Sequence, residues 1–243
     1  MKTHSILLIF LLSLVCSCKK SGNTNPFGNQ KIATIDRAYN GAIQHYRIVY
    51  DASNNVDSMV ITGGGTDTGS NGFFVFNYVG SSFTITDQNS NYVMVDANTN
   101  GQILKVLVTD TLSFLYNGSQ LGEINEFSPI ATYPYYTNTA YYYTWANGDV
   151  TAITSGSVSQ AYTYNDGKNG QPGDAIRINQ FLQYGQSYIK TNHLPSGLVN
   201  SATAGETYIY SFDSKGRISL LTDVSYDKTA SSSDTVTFAY TYY

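Results

Sequence analysis

Cysteine, histidine and charge are scarce in this chain of 243 residues. Both cysteines, Cys16 and Cys18, lie near the amino terminus, so the rest of the chain has no disulfide, thiol nucleophile or cysteine-ligated zinc site. Beyond them the histidines are His45 and His193, which lack the short spacing of a helical metal site. Acidic residues outnumber basic ones 17 to 13, which excludes the basic surface of a nucleic-acid-binding protein.

Long apolar runs and helical periodicity are also missing. Beyond Val15 no run is long enough to cross a bilayer as a helix, and no stretch repeats apolar residues at helical spacing. The local signatures of a nucleophile elbow and of a phosphate-binding loop are absent. The sequence therefore predicts no cofactor, no metal and no catalytic residue.

The first seventeen residues have the layout of a bacterial secretory signal peptide. Lys2 is followed by ten residues from Ile6 to Val15 with a single polar member, a stretch too short to span a bilayer. The end of this segment, Val15-Cys16-Ser17-Cys18, resembles a lipobox, the site cut by lipoprotein signal peptidase. We therefore predict lipidation of Cys18 and three parts of the chain: a signal peptide at residues 1–17, the lipidated cysteine with a flexible tether at 18–31, and one all-β domain at 32–243.

The predicted tether is polar and contains glycine and proline, as flexible linkers do. Fully extended, it reaches about 40 Å, enough to hold a domain clear of lipid headgroups. A diacyl or triacyl group on Cys18 is a stable anchor, so the lipid bilayer is the first predicted partner. No acidic cluster of the kind that directs surface export follows Cys18. We expect a lipid-anchored protein of the cell envelope, in the outer membrane, with the periplasmic face favoured over the cell surface.

From Ile32 onward the chain consists of short alternating runs. The runs at Tyr46–Tyr50, Phe73–Tyr78 and Val236–Tyr242 are rich in aromatic or β-branched residues, and such runs end at Asn, Asp or Gly. This pattern predicts an all-β fold, an antiparallel meander of hairpins in a strongly curved or partly closed sheet. A two-sheet β-sandwich is the alternative.

A short motif recurs along the domain. The segment Tyr50–Val56 matches Phe212–Ile218 position for position, with Asn54 in place of Gly216. The core of the motif, Gly followed two residues later by an aliphatic residue, recurs at Gly101, Gly122 and Gly148, and a degenerate copy is expected near residues 164–176. Gly and Asn accept the positive φ of a tight turn, so each copy is interpreted as strand, turn, strand.

The motif resembles the YD repeat of RHS-type proteins, in which aromatic-Asp-x-x-Gly-Arg-Ile builds successive hairpins of a curling sheet. Together with the signal and tether, the chain resembles an uncharacterised family of Bacteroidetes-type envelope lipoproteins. The resemblance covers most of residues 40–243. It implies a hairpin-repeat fold and supplies no catalytic residues.

Two local motifs have plain turn or loop interpretations. Asp67-Thr68-Gly69-Ser70 spells the aspartic-protease signature, but no second copy and no flanking apolar strands accompany it. Asp96, Asn98 and Asn100 match the first half of a calcium loop, but Leu107 stands where a bidentate glutamate belongs. A loop is favoured for the first motif. A hairpin turn is favoured for the second, so Asp96, Asn98 and Asn100 remain only a weak candidate calcium site.

Aromatic residues are the remaining functional clue. Tyr141, Tyr142, Tyr143 and Trp145 form the densest cluster and could offer an exposed platform to a sugar ring or a partner protein. Cross-strand aromatic pairing is favoured, because tyrosine is common in sheets. Trp145 occupies the motif position of Tyr50, which predicts an inward-facing side chain.

The sequence as a whole favours an envelope lipoprotein without an evident catalytic site. It would bind a glycan, a peptide or an envelope partner protein, or serve structurally, and it would bind no nucleic acid. The alternative is a secreted glycan hydrolase whose carboxylates are placed by the fold. A hydrolase should show a deep cleft with two facing carboxylates, whereas a binding module should show a shallow aromatic face.

Overall fold

The structure is a computed structural model that describes residues 30–64, 71–108, 110–129 and 136–243. Within these residues the chain forms sixteen β-strands and one α-helix. The strands are β1 (Ile32–Tyr39), β2 (Ala42–Tyr50), β3 (Val56–Gly63), β4 (Gly72–Val79), β5 (Ser82–Asp87), β6 (Tyr92–Ala97), β7 (Ile103–Leu107), β8 (Thr111–Asn117), β9 (Gln120–Pro129), β10 (Tyr136–Ala146), β11 (Asp149–Ser155), β12 (Val158–Asn169), β13 (His193–Val199), β14 (Ala204–Phe212), β15 (Ile218–Asp227) and β16 (Ser232–Tyr242), and the helix is α1 (Ala175–Tyr184).

Consecutive strands pair antiparallel around a complete circle, and β1 pairs with β16 through a ladder that sets Asp36 opposite Ala239. The predicted all-β antiparallel fold is confirmed. The prediction of a strongly curved or partly closed sheet, and its alternative of a two-sheet sandwich, need correction because the barrel is closed. Alternating apolar residues show that one face of each strand is buried, but they do not show that the first and last strands pair.

The barrel has two distinct ends. The turns that follow even-numbered strands lie at one end, where β1 also begins and β16 also finishes. We call this the motif end, because the recurring motif forms its turns: Asn54, Gly101, Gly148 and Gly216 have φ angles of 70°, 75°, 83° and 76°. The predicted positive φ at these turns is confirmed. The odd-numbered strands finish at the other end, which we call the open end.

Each copy of the motif places an aliphatic side chain just beyond its turn. These side chains point into the barrel and are at most 2% exposed: Val56, Ile103, Val150 and Ile218. One predicted copy needs correction. Gly122 lies inside β9 at a register shift, and the turn before it forms at Gly118, with φ 62°.

A helical segment fills the lumen at the motif end. Residues 170–192, which we call the plug, leave the wall between β12 and β13. The plug touches well-separated strands: the Tyr188 ring packs edge-on against Phe114 of β8 at 5.1 Å, and the Tyr240 hydroxyl of β16 donates to the Gly173 carbonyl at 2.9 Å. The predicted motif copy near residues 164–176 is therefore wrong, and so is the expectation of no helix.

Local sequence explains where α1 begins and ends. Asp174 caps the helix by accepting a hydrogen bond from the Arg177 backbone N–H at 2.9 Å. Gly185 ends it in the left-handed conformation, with φ 68°, and its N–H donates to the Phe181 carbonyl at 2.8 Å. Ten residues are too few for a helical period to stand out against the surrounding strands.

The inward face of the wall changes character along the barrel axis. Near the motif end it carries fully buried aliphatic residues such as Ile35 and Leu221, both 0% exposed. Two residues further toward the open end, the same faces carry Arg37 and Asp223, which are partly exposed. Among the described residues, the lumen is thus filled at the motif end, and its lining becomes polar and partly exposed toward the open end. Among the described residues, no helix has the length and apolar character needed to cross a membrane.

Candidate functional site

The polar half of the lumen is the candidate site. Its side chains sit on inward-facing positions of seven strands, between the buried core and the open end. We call this set the lumen mouth, and it consists of Arg37, Gln44, Tyr46, Glu126, Tyr141, Tyr162, Glu206, Tyr208 and Asp223.

Two carboxylates lie next to each other on β14 and β15. Asp223 pairs with Tyr208 across the ladder and Glu206 pairs with Ser225, so the two carboxylates are diagonal neighbours on the inward face. The Tyr208 hydroxyl donates a hydrogen bond to Glu206. Burial, followed by the charge of Glu206, raises the pKa of Asp223 to about 6. Its buried Oδ1 accepts no hydrogen bond from the described residues, which leaves an acceptor available to a ligand or water.

Donor groups face the lumen on β1 and β2. Arg37 lies directly opposite Gln44 in the ladder, and the Tyr46 hydroxyl donates to Gln44 Oε1 at 2.5 Å. Burial raises the pKa of Tyr46, while the nearby Arg37 guanidinium opposes that rise. Gln44 is only 4% exposed, and its Nε2 has no hydrogen-bond partner among the described residues. Arg37 and the Gln44 amide can therefore donate to a ligand.

A second tyrosine–carboxylate couple lies on β9 and β10. The Tyr141 hydroxyl donates to Glu126 Oε2 at 3.0 Å, and burial together with this bond raises the pKa of Tyr141. Since these tyrosines already use their protons, the carboxylate oxygens and phenol lone pairs remain as acceptors. The lumen mouth is thus rich in acceptors, apart from the donor side formed by Arg37 and Gln44.

The predicted aromatic platform is divided between the two faces of β10. Tyr142 points outward and is 51% exposed, whereas Tyr141 and Tyr143 point inward. Trp145 packs against the core, and its indole N–H donates to the Leu121 carbonyl at 2.7 Å. The four residues therefore share no common surface, and of them only Tyr141 joins the lumen mouth.

The weak calcium candidate has another explanation in the turn between β6 and β7. Asn98 Oδ1 accepts hydrogen bonds from the backbone N–H groups of Asn100 and Gln102, at 3.0 Å each. Asp96 lies in the preceding strand and is exposed. Across the part of the chain that the structure describes, no three His, Cys, Asp or Glu side chains converge as a metal site requires. Cys18 and the Asp67–Ser70 motif lie outside the described residues.

Each histidine of the domain pairs with an aspartate that sequence reasoning missed. His45 Nδ1 lies 2.8 Å from Asp36 on the outer wall, beside a shallow pocket of about 390 Å³. His193 Nδ1 lies 2.7 Å from Asp149, whose other oxygen accepts the His193 backbone N–H at 2.8 Å. The second pair fastens the exit of the plug to the β10–β11 turn.

Sequence reasoning also missed the lumen mouth. The available signal was a polar residue at an inward position of an alternating strand. Asp223 follows Leu221 by two positions, and Glu126 follows Ile124 in the same way. That signal identifies a polar lumen only once the closure of the barrel is known.

Comparison with known proteins gives the fold and nothing further. No protein-family model matches the chain, and no curated protein matches it. Among solved structures, a porin-like protein from Bacteroides uniformis superposes with a TM-score of 0.66 and 14% sequence identity, over 87% of this chain and 98% of that chain. A likeness at this identity supports the barrel architecture.

Proposed function

We propose that this protein is a ligand-binding module of the bacterial cell envelope that receives its ligand in the lumen mouth. The observation that carries the proposal is the contrast along the barrel axis, between a lumen filled at the motif end and a polar, partly exposed lumen toward the open end. A lumen filled by the core and the plug favours binding over conduction. The porin-like neighbour is compatible with an envelope setting.

The geometry supports a lipid-anchored barrel that stands outside the bilayer. β1 begins at the motif end, so a tether that precedes it would join the barrel at the end opposite the lumen mouth and leave the mouth unobstructed. Outward-facing charges on several strands, among them Arg47 and Glu123, would be costly against lipid. Our proposal therefore places the protein at the outer membrane, held by a lipid on Cys18, with the periplasmic face favoured over the cell surface.

Ligand binding is tested by thermal shift against a panel of envelope glycan fragments and short peptides. The lumen variant is Arg37→Gln combined with Glu206→Gln, and the matched outer-wall control is Arg47→Gln combined with Glu123→Gln. At 100 times Kd a ligand adds about 2.7 kcal/mol, which raises Tm by roughly 5–10 °C for a domain of this size. We expect such a shift in the wild type and control but not in the lumen variant. A panel without any shift, or a shift retained by the lumen variant, refutes the proposal.

Anchoring has a separate test. Cys18→Ala should abolish incorporation of a labelled fatty acid and leave the protein unprocessed or soluble. Label that persists in the variant would show that the lipid is attached at another residue.

A glycan hydrolase is the second candidate, and the Glu206–Asp223 pair is the observation that favours it. Glycoside hydrolysis needs two carboxyl groups, one of which has a raised pKa and acts as the general acid. The two inward carboxylates on β14 and β15 include one such group, Asp223. If the wild type cleaves any of a set of chromogenic glycosides, Asp223→Asn should lower the rate by about 10²-fold or more, and Glu123→Gln should not. A wild type that cleaves none of them removes this candidate.

A further inference from the structure

Groups of opposite charge occupy one wall of the lumen mouth without pairing with each other. Arg37 of β1 and Asp223 of β15 are separated by one strand, β16. The ladders place Arg37 level with Leu221, because both lie opposite Phe238, so Asp223 lies two residues nearer the open end. Two strand spacings of about 4.8 Å and two residues of about 3.4 Å put their Cα atoms roughly 12 Å apart. Among the described residues no salt bridge joins them.

The wall between these charges is apolar. Val236 and Phe238 of β16 face inward between Arg37 and Asp223, and both belong to or pack against the hydrophobic core. A ligand that reached both charges would cross this apolar strip. It would also need a group that donates hydrogen bonds at one end and a group that accepts them at the other.

The hydrogen-bond donors and acceptors on the two sides of this wall determine how such a ligand would be oriented. At β14–β15, Glu206 and the unpartnered Oδ1 of Asp223 call for a donor of positive charge. At β1–β2, the Arg37 guanidinium and the free Nε2 of the nearly fully buried Gln44 call for an anionic acceptor. A neutral sugar would satisfy some of these acceptors but would leave the guanidinium without a counter-charge.

We infer that the lumen mouth binds a short peptide with free termini, its ammonium at Glu206 and Asp223 and its carboxylate at Arg37 and Gln44. An extended chain of three residues is about 10 Å long, comparable with the roughly 12 Å between the Cα atoms of Arg37 and Asp223. The side chains of the peptide would lie toward the centre of the lumen, where Tyr141 and Tyr162 face them. The inference rests on the proposed function and specifies the class of ligand.

The test uses triglycine as the probe, measured by titration calorimetry with the full chain. Three forms are compared: free termini, an acetylated amino terminus and an amidated carboxyl terminus. We expect the free form to bind and each blocked form to bind at least tenfold more weakly. The inference is overturned if the three forms of triglycine bind with equal affinity, or if triglycine does not bind.

Variants assign each terminus to its side of the wall. Asp223→Asn should weaken binding of the peptide with free termini, and acetylation of the amino terminus should then cause no further loss of affinity. In Arg37→Gln, amidation of the carboxyl terminus should cause no further loss of affinity. The controls Glu123→Gln and Arg47→Gln, on the outer wall, should leave all affinities unchanged. If a glycan fragment shifts Tm through the lumen while triglycine does not bind, the peptide inference fails and the proposed function stands. If no member of the glycan and peptide panel binds, both fail.

Discussion

Replacing Asp223 by asparagine should stabilise the protein at neutral pH and leave its stability at low pH unchanged. Asp223 is an acid whose charged form is penalised by burial and by the neighbouring Glu206. Its pKa is raised from 3.8 to about 6, so the folded protein binds the proton more tightly than the unfolded chain does. The free energy of unfolding therefore falls as pH rises from about 4 to about 6, and above pH 6 the full penalty applies.

The size of the effect follows from the shift. A change of roughly 2 pKa units corresponds to about 3 kcal/mol, and the partly solvated lumen reduces this to about 1–2 kcal/mol. Asparagine keeps the shape of the side chain and has no charge to desolvate, so it should recover that amount above pH 6. Glu206→Gln removes only the lesser of the two causes and should recover less.

The assay is urea unfolding of the wild type, Asp223→Asn and Glu206→Gln at pH 4 and pH 8. The outer-wall variant Glu123→Gln serves as the control and should change stability little at either pH. We expect a gain for Asp223→Asn at pH 8 that vanishes at pH 4. An equal effect at both values, or a loss at pH 8, would refute the claim that Asp223 is desolvated beside Glu206.

Gly216→Val and Gly148→Val should each cost at least about 1 kcal/mol in urea unfolding, because valine strains a positive φ. Gly148→Val should cost more, since a Cβ at residue 148 would clash with the side-chain amide of Asn192, whereas a Cβ at residue 216 would meet open space. Unfolding midpoints equal to that of the parent in both variants would contradict the turn assignment. Asp174→Ala should cost about 3 kcal/mol by removing a fully buried helix cap and ion pair, and an unchanged urea midpoint would show that this cap and ion pair do not stabilise the fold. Trp145 should show blue-shifted emission and resist acrylamide quenching, because it packs against the core; a quenching constant near that of free tryptophan would place it in solvent.

The local elements were predictable because they depend on short-range pattern. Alternating apolar residues identified strands, and the turns at Gly101, Gly148 and Gly216 were placed from the preference of glycine for positive φ. Trp145 faces inward, as its motif position indicates. The turn predicted at Gly122 is wrong, because the same residue pattern occurs there inside β9, at a register shift, without a turn.

The closure and the lumen mouth were not predictable, because both depend on contacts between distant parts of the chain. Nothing in the sequences of β1 and β16 marks them as partners. Arg37 and Asp223 are ordinary polar residues of alternating strands until closure brings them to one wall. The plug was not predictable for a related reason: the Asp174 cap is one residue, and the environment that holds α1 comes from strands distant in sequence, such as β4, whose Phe76 lies beside Gly185.

The seam between β1 and β16 has a consequence for folding order. Among the described strands every other ladder joins consecutive strands, and all but β12–β13, which the plug separates, can form as local hairpins. The seam instead sets Ile32 opposite Tyr242. Ladders between such distant segments bear a large loop-closure entropy and form slowly. The hairpins should therefore accumulate first, and amide protons of β1 and β16 should gain protection from exchange last. Until then both strands present unpaired edges, so aggregation during refolding should begin at this seam.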